Sequence, residues 1–291
     1  MRGNDFTRRE FLKIAALGSV ALSLPAIDLF SKSKYTAKIG LQLYTVRNEI
    51  EKDFKETMRK VADTGFVGIE SYALPDNITL EYAGRVFKDL GLQVIGMHTE
   101  LPFGSARDTI LKTADIYNSD RVIYAGWPEN NKYKTVDSSK HMVDVYNEAA
   151  AFLKKKGLKF GLHNHWWEFE KQDGIYPFYY LLENLDKDIF FEIDTYWAKT
   201  GGFNPVKVIL DFGCRAPLLH IKDGPAIKGE ESYKQVPAGK GVMDFPSIVK
   251  AGDENIKWMI IEFDEYDKNI FDGIKDSYSY LTKNGLAEGN I

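Results

Sequence analysis

The sequence predicts an α/β protein of the (β/α)8 TIM-barrel class, and three observations carry that prediction. From Lys38 onward, short apolar runs alternate with amphipathic stretches of helical period. The alternation repeats eight times in about 250 residues, the usual size of such a barrel. Nearly every apolar run turns polar at its C-terminal end, and in this architecture those ends converge on one mouth.

The apolar runs read as buried strands. In order they are 38–46 (KIGLQLYTV), 66–74 (FVGIESYAL), 92–101 (LQVIGMHTEL), 121–127 (RVIYAGW), 158–166 (LKFGLHNHW), 189–197 (IFFEIDTYW), 217–223 (PLLHIKD) and 257–266 (KWMIIEFDEY). Parallel strands covered on both faces require such near-continuous hydrophobicity. Helical stretches follow them at 53–65, 79–91, 105–118, 138–157, 177–186, 204–213, 244–252 and 269–285. Thr79 and Asp244 read as N-caps, Gly65 and Gly91 as helix stops, and lysines gather in the last turn of 138–157. A doubly wound sheet is the competing architecture. It is disfavoured because GLQLYTVRN, which closes the first strand, is not a glycine-rich phosphate turn.

Ahead of the barrel, TRREFLKIAALGSVALSLPA resembles a twin-arginine export signal, with Arg8 and Arg9 followed by a short apolar run. The reading assigns 1–26 to a signal peptide, 27–37 to a linker and 38–291 to a single barrel domain. It implies twin-arginine export to the periplasm. The apolar run is too short to span a bilayer comfortably, so no stable membrane insertion is expected after cleavage.

Composition narrows the function. The net charge is -4, and removing 1–26 takes away four basic and two acidic residues, leaving -6. With no basic stripe, a nucleic-acid backbone is not the expected partner. The single cysteine, Cys214, excludes an internal disulfide and a cysteine-based metal cluster. Aromatic residues, at 13%, offer Trp and Tyr surfaces for a small-molecule carbohydrate. The sequence leaves oligomerisation open.

The polar strand ends supply the chemistry. They are Gln42 and Tyr44 with Arg47 beyond, Glu70, His98 with Glu100, Trp127, His163 with His165, Asp194, His220 with Lys222, and Glu262 with Asp264. Strand alternation puts His163 and His165 on one face, and likewise Glu192 with Asp194, His220 with Lys222, and Glu262 with Asp264. Lone buried charges are costly unless paired or metal-bound. His163, Asp194, His220 and Glu262, one from each of the last four strands, therefore form a candidate ligand set. Mixed imidazole and carboxylate donors suit Mn²⁺, Zn²⁺ or Co²⁺, with Mg²⁺ left open. A hydrogen-bonded polar mouth without metal is the plainer alternative. Glu70 and His98 are candidate contacts for substrate hydroxyls. Trp127 and Trp197, with Trp166 and Trp167, offer sugar stacking or packing beneath the mouth loops.

In this order and spacing, LHNHWWEF, EIDTYWAKTGG followed by NP, LLHIKDG, GKGVMDF and IIEFD resemble the xylose-isomerase-like TIM barrels. That family includes sugar phosphate isomerases/epimerases, inosose dehydratase/isomerase proteins, ketose 3-epimerases and, more distantly, endonuclease IV. The resemblance spans about Lys38 to Gly285. It implies a divalent metal held by Glu, Asp, His and Glu on strands five to eight. Asp194, His220 and Glu262 match the last three positions, and His163 stands where the family has glutamate. Trp197 likewise replaces the substrate-contacting histidine three residues after the strand-six aspartate. Both departures weigh against a two-carboxylate epimerisation.

What survives is metal-assisted proton abstraction beside a carbonyl of a sugar, keto-sugar or cyclitol. Glu262 is the base by family position, and His165, Lys222, Glu168 or His98 are candidates to deliver a proton. The expectation is a sugar isomerase/epimerase-like enzyme acting on an unphosphorylated substrate. The alternatives are a lyase, by inosose dehydration or β-elimination from a 3-keto-glycoside, and a metal-stabilised carbohydrate-binding protein without catalysis.

Overall fold

The computed structural model describes residues 36–126 and 131–290, and eight parallel strands among them close into a barrel. They are β1 (Ala37–Gln42), β2 (Gly68–Ser71), β3 (Gln93–Thr99), β4 (Arg121–Tyr124), β5 (Lys159–His163), β6 (Phe190–Asp194), β7 (Leu218–Ile221) and β8 (Trp258–Ile261). Each strand pairs in parallel with its successor, and β8 pairs with β1 to shut the ring. Closure removes both free edges, which an open doubly wound sheet would keep. The twin-arginine segment 1–26 and most of the 27–37 linker lie outside the described residues, as does Trp127. Among the described residues no helix is long and apolar enough to cross a membrane.

Ten α-helices are described: α1 (Arg47–Lys52), α2 (Phe54–Thr64), α3 (Leu80–Asp89), α4 (Ala106–Tyr117), α5 (Val136–Lys154), α6 (Pro177–Asn184), α7 (Thr195–Thr200), α8 (Pro205–Phe212), α9 (Phe245–Gly252) and α10 (Ile270–Lys283). Eight match the amphipathic stretches. The two additions, α1 and α7, have six residues each, too few for a periodic signal. The expected caps form: Thr79 and Asp244 accept from the backbone N–H groups of Tyr82 and Ser247, both at 3.2 Å. A short ninth strand, β9 (Ala287–Glu288), pairs with the start of β1 at the end away from the mouth.

Two apolar layers frame the barrel wall. The larger lies between sheet and helices. The smaller fills the barrel floor with Ile95, Ile123, Phe190, Leu218, Trp258 and Ile260. Gly161 makes room for this plug, since a Cβ there would meet the Phe190 ring at 2.3 Å. Above the floor the interior changes character. Gln42, Glu70, Glu192, Asp194 and His220 all point inward and all are fully buried.

Candidate active site at the barrel mouth

Strand register sets two polar tiers. The lower tier joins Glu70 of β2, His98 of β3, Glu192 of β6 and His220 of β7. The register of β3 against β2 slips at Ile69/Glu70, which turns Gly96 and His98 toward the interior. His98 Nε2 then lies 2.7 Å from Glu192 Oε2 and 3.1 Å from Glu70 Oε2. His220 Nε2 lies 2.7 Å from Glu70 Oε2 and 3.2 Å from Glu192 Oε2. Gln42 of β1 donates to Glu70 Oε2 at 2.6 Å. Glu70 thus has protein partners and no exposed surface, so the fold does not present it to a substrate.

The upper tier holds His163, Asp194, Lys222, Glu262 and Asp264, from the ends of β5 to β8. Asp194 caps α7: its Oδ1 accepts from Trp197 N–H at 2.8 Å, which turns Oδ2 toward the site. His220 Nδ1 approaches Glu262 Oε2 at 2.6 Å. Lys222 Nζ stands 3.1 Å from Asp194 Oδ2, 2.9 Å from Glu262 Oε2 and 2.8 Å from Asp264 Oδ2. His220 therefore bridges the tiers, with one ring nitrogen facing each.

These residues fit a divalent cation by the chemistry and convergence of their donor atoms. His163 Nδ1, Asp194 Oδ2, His220 Nδ1 and Glu262 Oε2 are buried without a well-directed hydrogen bond among the described residues. They belong to the four residues read from the sequence, one on each strand end from β5 to β8. One ligand atom from each lies within 4.8 Å of the other three. The neighbours of these atoms are charged groups instead: Lys222 beside Asp194 Oδ2 and Glu262 Oε2, Glu262 Oε2 beside His220 Nδ1, and Glu192 Oε2 3.2 Å from His163 Nδ1. A divalent cation among these four side chains would replace those pairings. His98, His163, Glu192 and His220 also cluster within 4.8 Å. There, however, His98 is hydrogen-bonded to Glu192 and His220 to Glu70, so this set reads as support for the His220 ring.

The electrostatics favour positive charge at this point. Burial opposes the imidazolium of His220, yet Glu192, Glu262 and Glu70 outweigh it and hold the pKa well above the usual histidine value. Burial likewise opposes a charged His98, and Glu70 and Glu192 raise it to about 10. Burial acts against the Lys222 ammonium, but Asp194, Asp264 and Glu262 push its pKa well up. Burial alone would raise Glu262, whereas Lys222 and His220 bring it well below the carboxylate range. Asp194 rises to about 6, because burial exceeds the opposing pull of Lys222 and His220. Burial, with His220, His165 and His98 as neighbours, lowers His163 and keeps it neutral, the form that ligates metals.

His165 is buried, with its ring stacked on Trp167 at 4.2 Å between centroids. Its backbone N–H donates to Glu168 Oε2 at 2.8 Å. Burial, then Lys222, lowers the His165 pKa well below the usual value. Burial lifts Glu168 to about 8. Trp197, expected at the sugar, is 1% exposed and packs beneath the mouth with Lys222 Nζ 5.3 Å from its ring centre. The cause is local: α7 starts at the strand end, so the third residue after Asp194 turns inward.

Sequence reasoning placed Glu192 and Asp264 on the faces of Asp194 and Glu262 but gave neither a role, and it missed Gln235. Glu192 could have been given one, since alternation sets it on the face of Asp194. Gln235, which grips Asp264, lies in an irregular loop and gives no periodic signal. A cavity of about 1050 Å³, lined in part by Arg47, Tyr233 and Tyr266, meets the site at Gln235 and Asp264, and none of the four candidate ligands lines it.

Comparison with known proteins places the molecule. The family described as xylose isomerase-like TIM barrel matches residues 58–284. The chain belongs to this family. No curated protein matches its sequence. Among solved structures, a xylose isomerase-like barrel described as a sugar phosphate isomerase/epimerase from Parabacteroides distasonis is 25% identical. The match covers 91% of this chain and 100% of that one, with a TM-score of 0.73. The probable 3-DHS dehydratase AsbF from Bacillus anthracis shares the fold at 14% identity and TM-score 0.67, over 84% of this chain and 98% of that one. An L-ribulose 3-epimerase does so at 16% identity and TM-score 0.66, over 86% and 95%.

Proposed function

We propose that this barrel is a divalent-metal-dependent sugar isomerase/epimerase-like enzyme. It would remove a proton beside the carbonyl of a sugar, keto-sugar or cyclitol. The observation that carries the reading is the convergence of ligand atoms from His163, Asp194, His220 and Glu262, within 4.8 Å of one another beneath the mouth. A bound divalent ion supplies Lewis-acid stabilisation of negative charge developing on substrate oxygens.

The remaining steps belong to the chain. Glu262 is held ionised by Lys222 and His220 and would accept the proton. His165, kept neutral, receives or relays a proton at the same face. Lys222, kept charged, is the acid available to a substrate oxygen. The cavity that reaches Gln235 and Asp264 has room for a carbohydrate at the edge of the site, beside the candidate ligands and not over them. An unphosphorylated substrate is supported because the cations at the strand ends are committed. Arg47 donates to the carbonyls of Tyr44 and Asp264, each at 2.8 Å, and Lys222 is paired with carboxylates. The paired Arg8 and Arg9 support export by the twin-arginine route to the periplasm, with the metal loaded before transport.

A second reading, β-elimination, is favoured by one feature, the buried ammonium of Lys222 beside Glu262. A base and an acid on the adjoining ends of β8 and β7 suit removal of a proton together with departure of a neighbouring oxygen. The test is solvent deuterium exchange into unphosphorylated carbonyl sugars and inososes by the manganese-loaded protein. Exchange that disappears in Glu262→Gln while the ion remains bound supports catalysis, and an eliminated product identifies the second reading. No exchange with any such substrate overturns both in favour of a binding protein.

A further inference from the structure

The candidate ion seat already contains a cation of the protein's own. Lys222 lies against Asp194 Oδ2 at 3.1 Å and Glu262 Oε2 at 2.9 Å, carboxylate oxygens of two candidate ligands. It also lies 2.8 Å from Asp264 Oδ2. Asp264 is gripped from its other side. Gln235 Nε2 donates to Asp264 Oδ2 at 2.7 Å, and Asp264 N–H donates to Gln235 Oε1 at 2.8 Å. Arg47 donates to the Asp264 carbonyl at 2.8 Å. Gln235 is itself buried, in a loop whose Val236 N–H donates to the Asp223 carbonyl at 2.9 Å.

An ammonium and a dication cannot share the same two buried oxygens without strong repulsion. The charges nevertheless balance if the carboxylates are divided. Asp194, Glu262 and Asp264 together offset one lysine and one divalent ion. We propose that Asp264, clamped by Gln235, is the receiving carboxylate for Lys222. When a divalent cation engages Asp194 and Glu262, the ammonium gives up those two contacts and stays paired with Asp264. Asp264 and Gln235 are then positioning residues: neither ligates the ion, and both govern how tightly it is held. This inference rests on the metal reading given above.

The test is calorimetric titration of Mn²⁺ into the full chain and into Lys222→Met, Asp264→Asn and Gln235→Ala, with thermal melting of each. Lys222→Met should bind Mn²⁺ about tenfold more tightly or better. Asp264→Asn and Gln235→Ala should bind it about tenfold more weakly, although no ligand has been altered. Purely structural roles would weaken all three variants alike. Weaker binding by Lys222→Met, or unchanged binding by Asp264→Asn, overturns the proposal. Should Lys222→Met fail to fold with three uncompensated carboxylates, the other two variants decide, and unchanged affinity in both overturns it. If the unaltered chain binds no Mn²⁺, the metal reading falls and this inference with it. Binding by the unaltered chain with the wrong signs in the variants defeats this inference alone.

Discussion

Asn164 and Asp194 exchange two hydrogen bonds across the ends of β5 and β6. Asp194 N–H donates to Asn164 Oδ1 at 3.0 Å, and Asn164 Nδ2 donates to the Asp194 carbonyl at 3.1 Å. Asn164 is fully buried and reads the backbone of Asp194 as a neighbouring strand would. The Asp194 carboxylate is thereby fixed by bonds that leave its Oδ2 toward the site.

Replacing Asn164 by Leu leaves the Asp194 N–H buried and unsatisfied, while its carbonyl keeps the first bond of α7. We expect urea unfolding to show a loss of about 1–3 kcal/mol. Mn²⁺ affinity should fall as well, because the carboxylate loses its anchor. A variant of unchanged stability would show that water replaces the amide.

Glu168 makes stability depend on pH with a defined sign. Its folded pKa, about 8, lies above its ordinary 4.5, so the folded state keeps a proton that the unfolded chain releases. The contribution is fully present below pH 4.5 and is lost as the pH rises to 8. The slope within that window is about 1.4 kcal/mol per pH unit. Glu168→Gln, a mimic of the protonated form, should flatten the profile from pH 5 to 8 in denaturant titrations. An unchanged slope would place the responsible proton elsewhere.

Gly241 should not tolerate a side chain. A Cβ there would stand 2.1 Å from Asp223 Oδ1 and 2.4 Å from Gly224 N. The Asp223 carboxylate accepts from the N–H groups of Gly224, Gly239, Gly241 and Met243, so the clash falls on backbone that cannot move independently. Gly241→Ala is expected to destabilise the protein by about 2 kcal/mol or more, within the range for backbone strain and lost buried hydrogen bonds. Melting near the parent temperature would mean the loop relaxes around it.

Divalent ions should stabilise the fold. At a hundred times its dissociation constant a ligand bound only by the native state adds about 2.7 kcal/mol. Mn²⁺ should therefore raise the melting temperature of the parent, and a chelator should reverse the gain. Asp194→Asn should remove most of the response. A response that survives in this variant would locate the ion away from the mouth.

The sequence made the barrel readable because each strand is a continuous apolar run and six of the eight major helices open on a side-chain N-cap. The ligand candidates were readable because alternation is strict at strand ends, so His220 implies Lys222 on its face and Glu262 implies Asp264. Other relationships depend on partners far apart in the chain. Glu70 and His220 meet across the barrel, and β3 needed its register slip to bring His98 to them. No local pattern reports such distances. Trp197 looked like a sugar contact from its position after β6, and the immediate start of α7 buries it instead.

The apolar plug of Phe190, Trp258 and Leu218 closes the barrel below the polar tiers. A vessel sealed at its base has one aperture, and that imposes a sequence of arrivals. An ion seated on His163, Asp194, His220 and Glu262 lies deeper than any sugar that meets it from above. On the proposed function it would load before the sugar and would not depart until the sugar had gone. Saturating carbohydrate should therefore slow the stripping of the ion by a chelator, and a rate indifferent to carbohydrate would reveal a second way out.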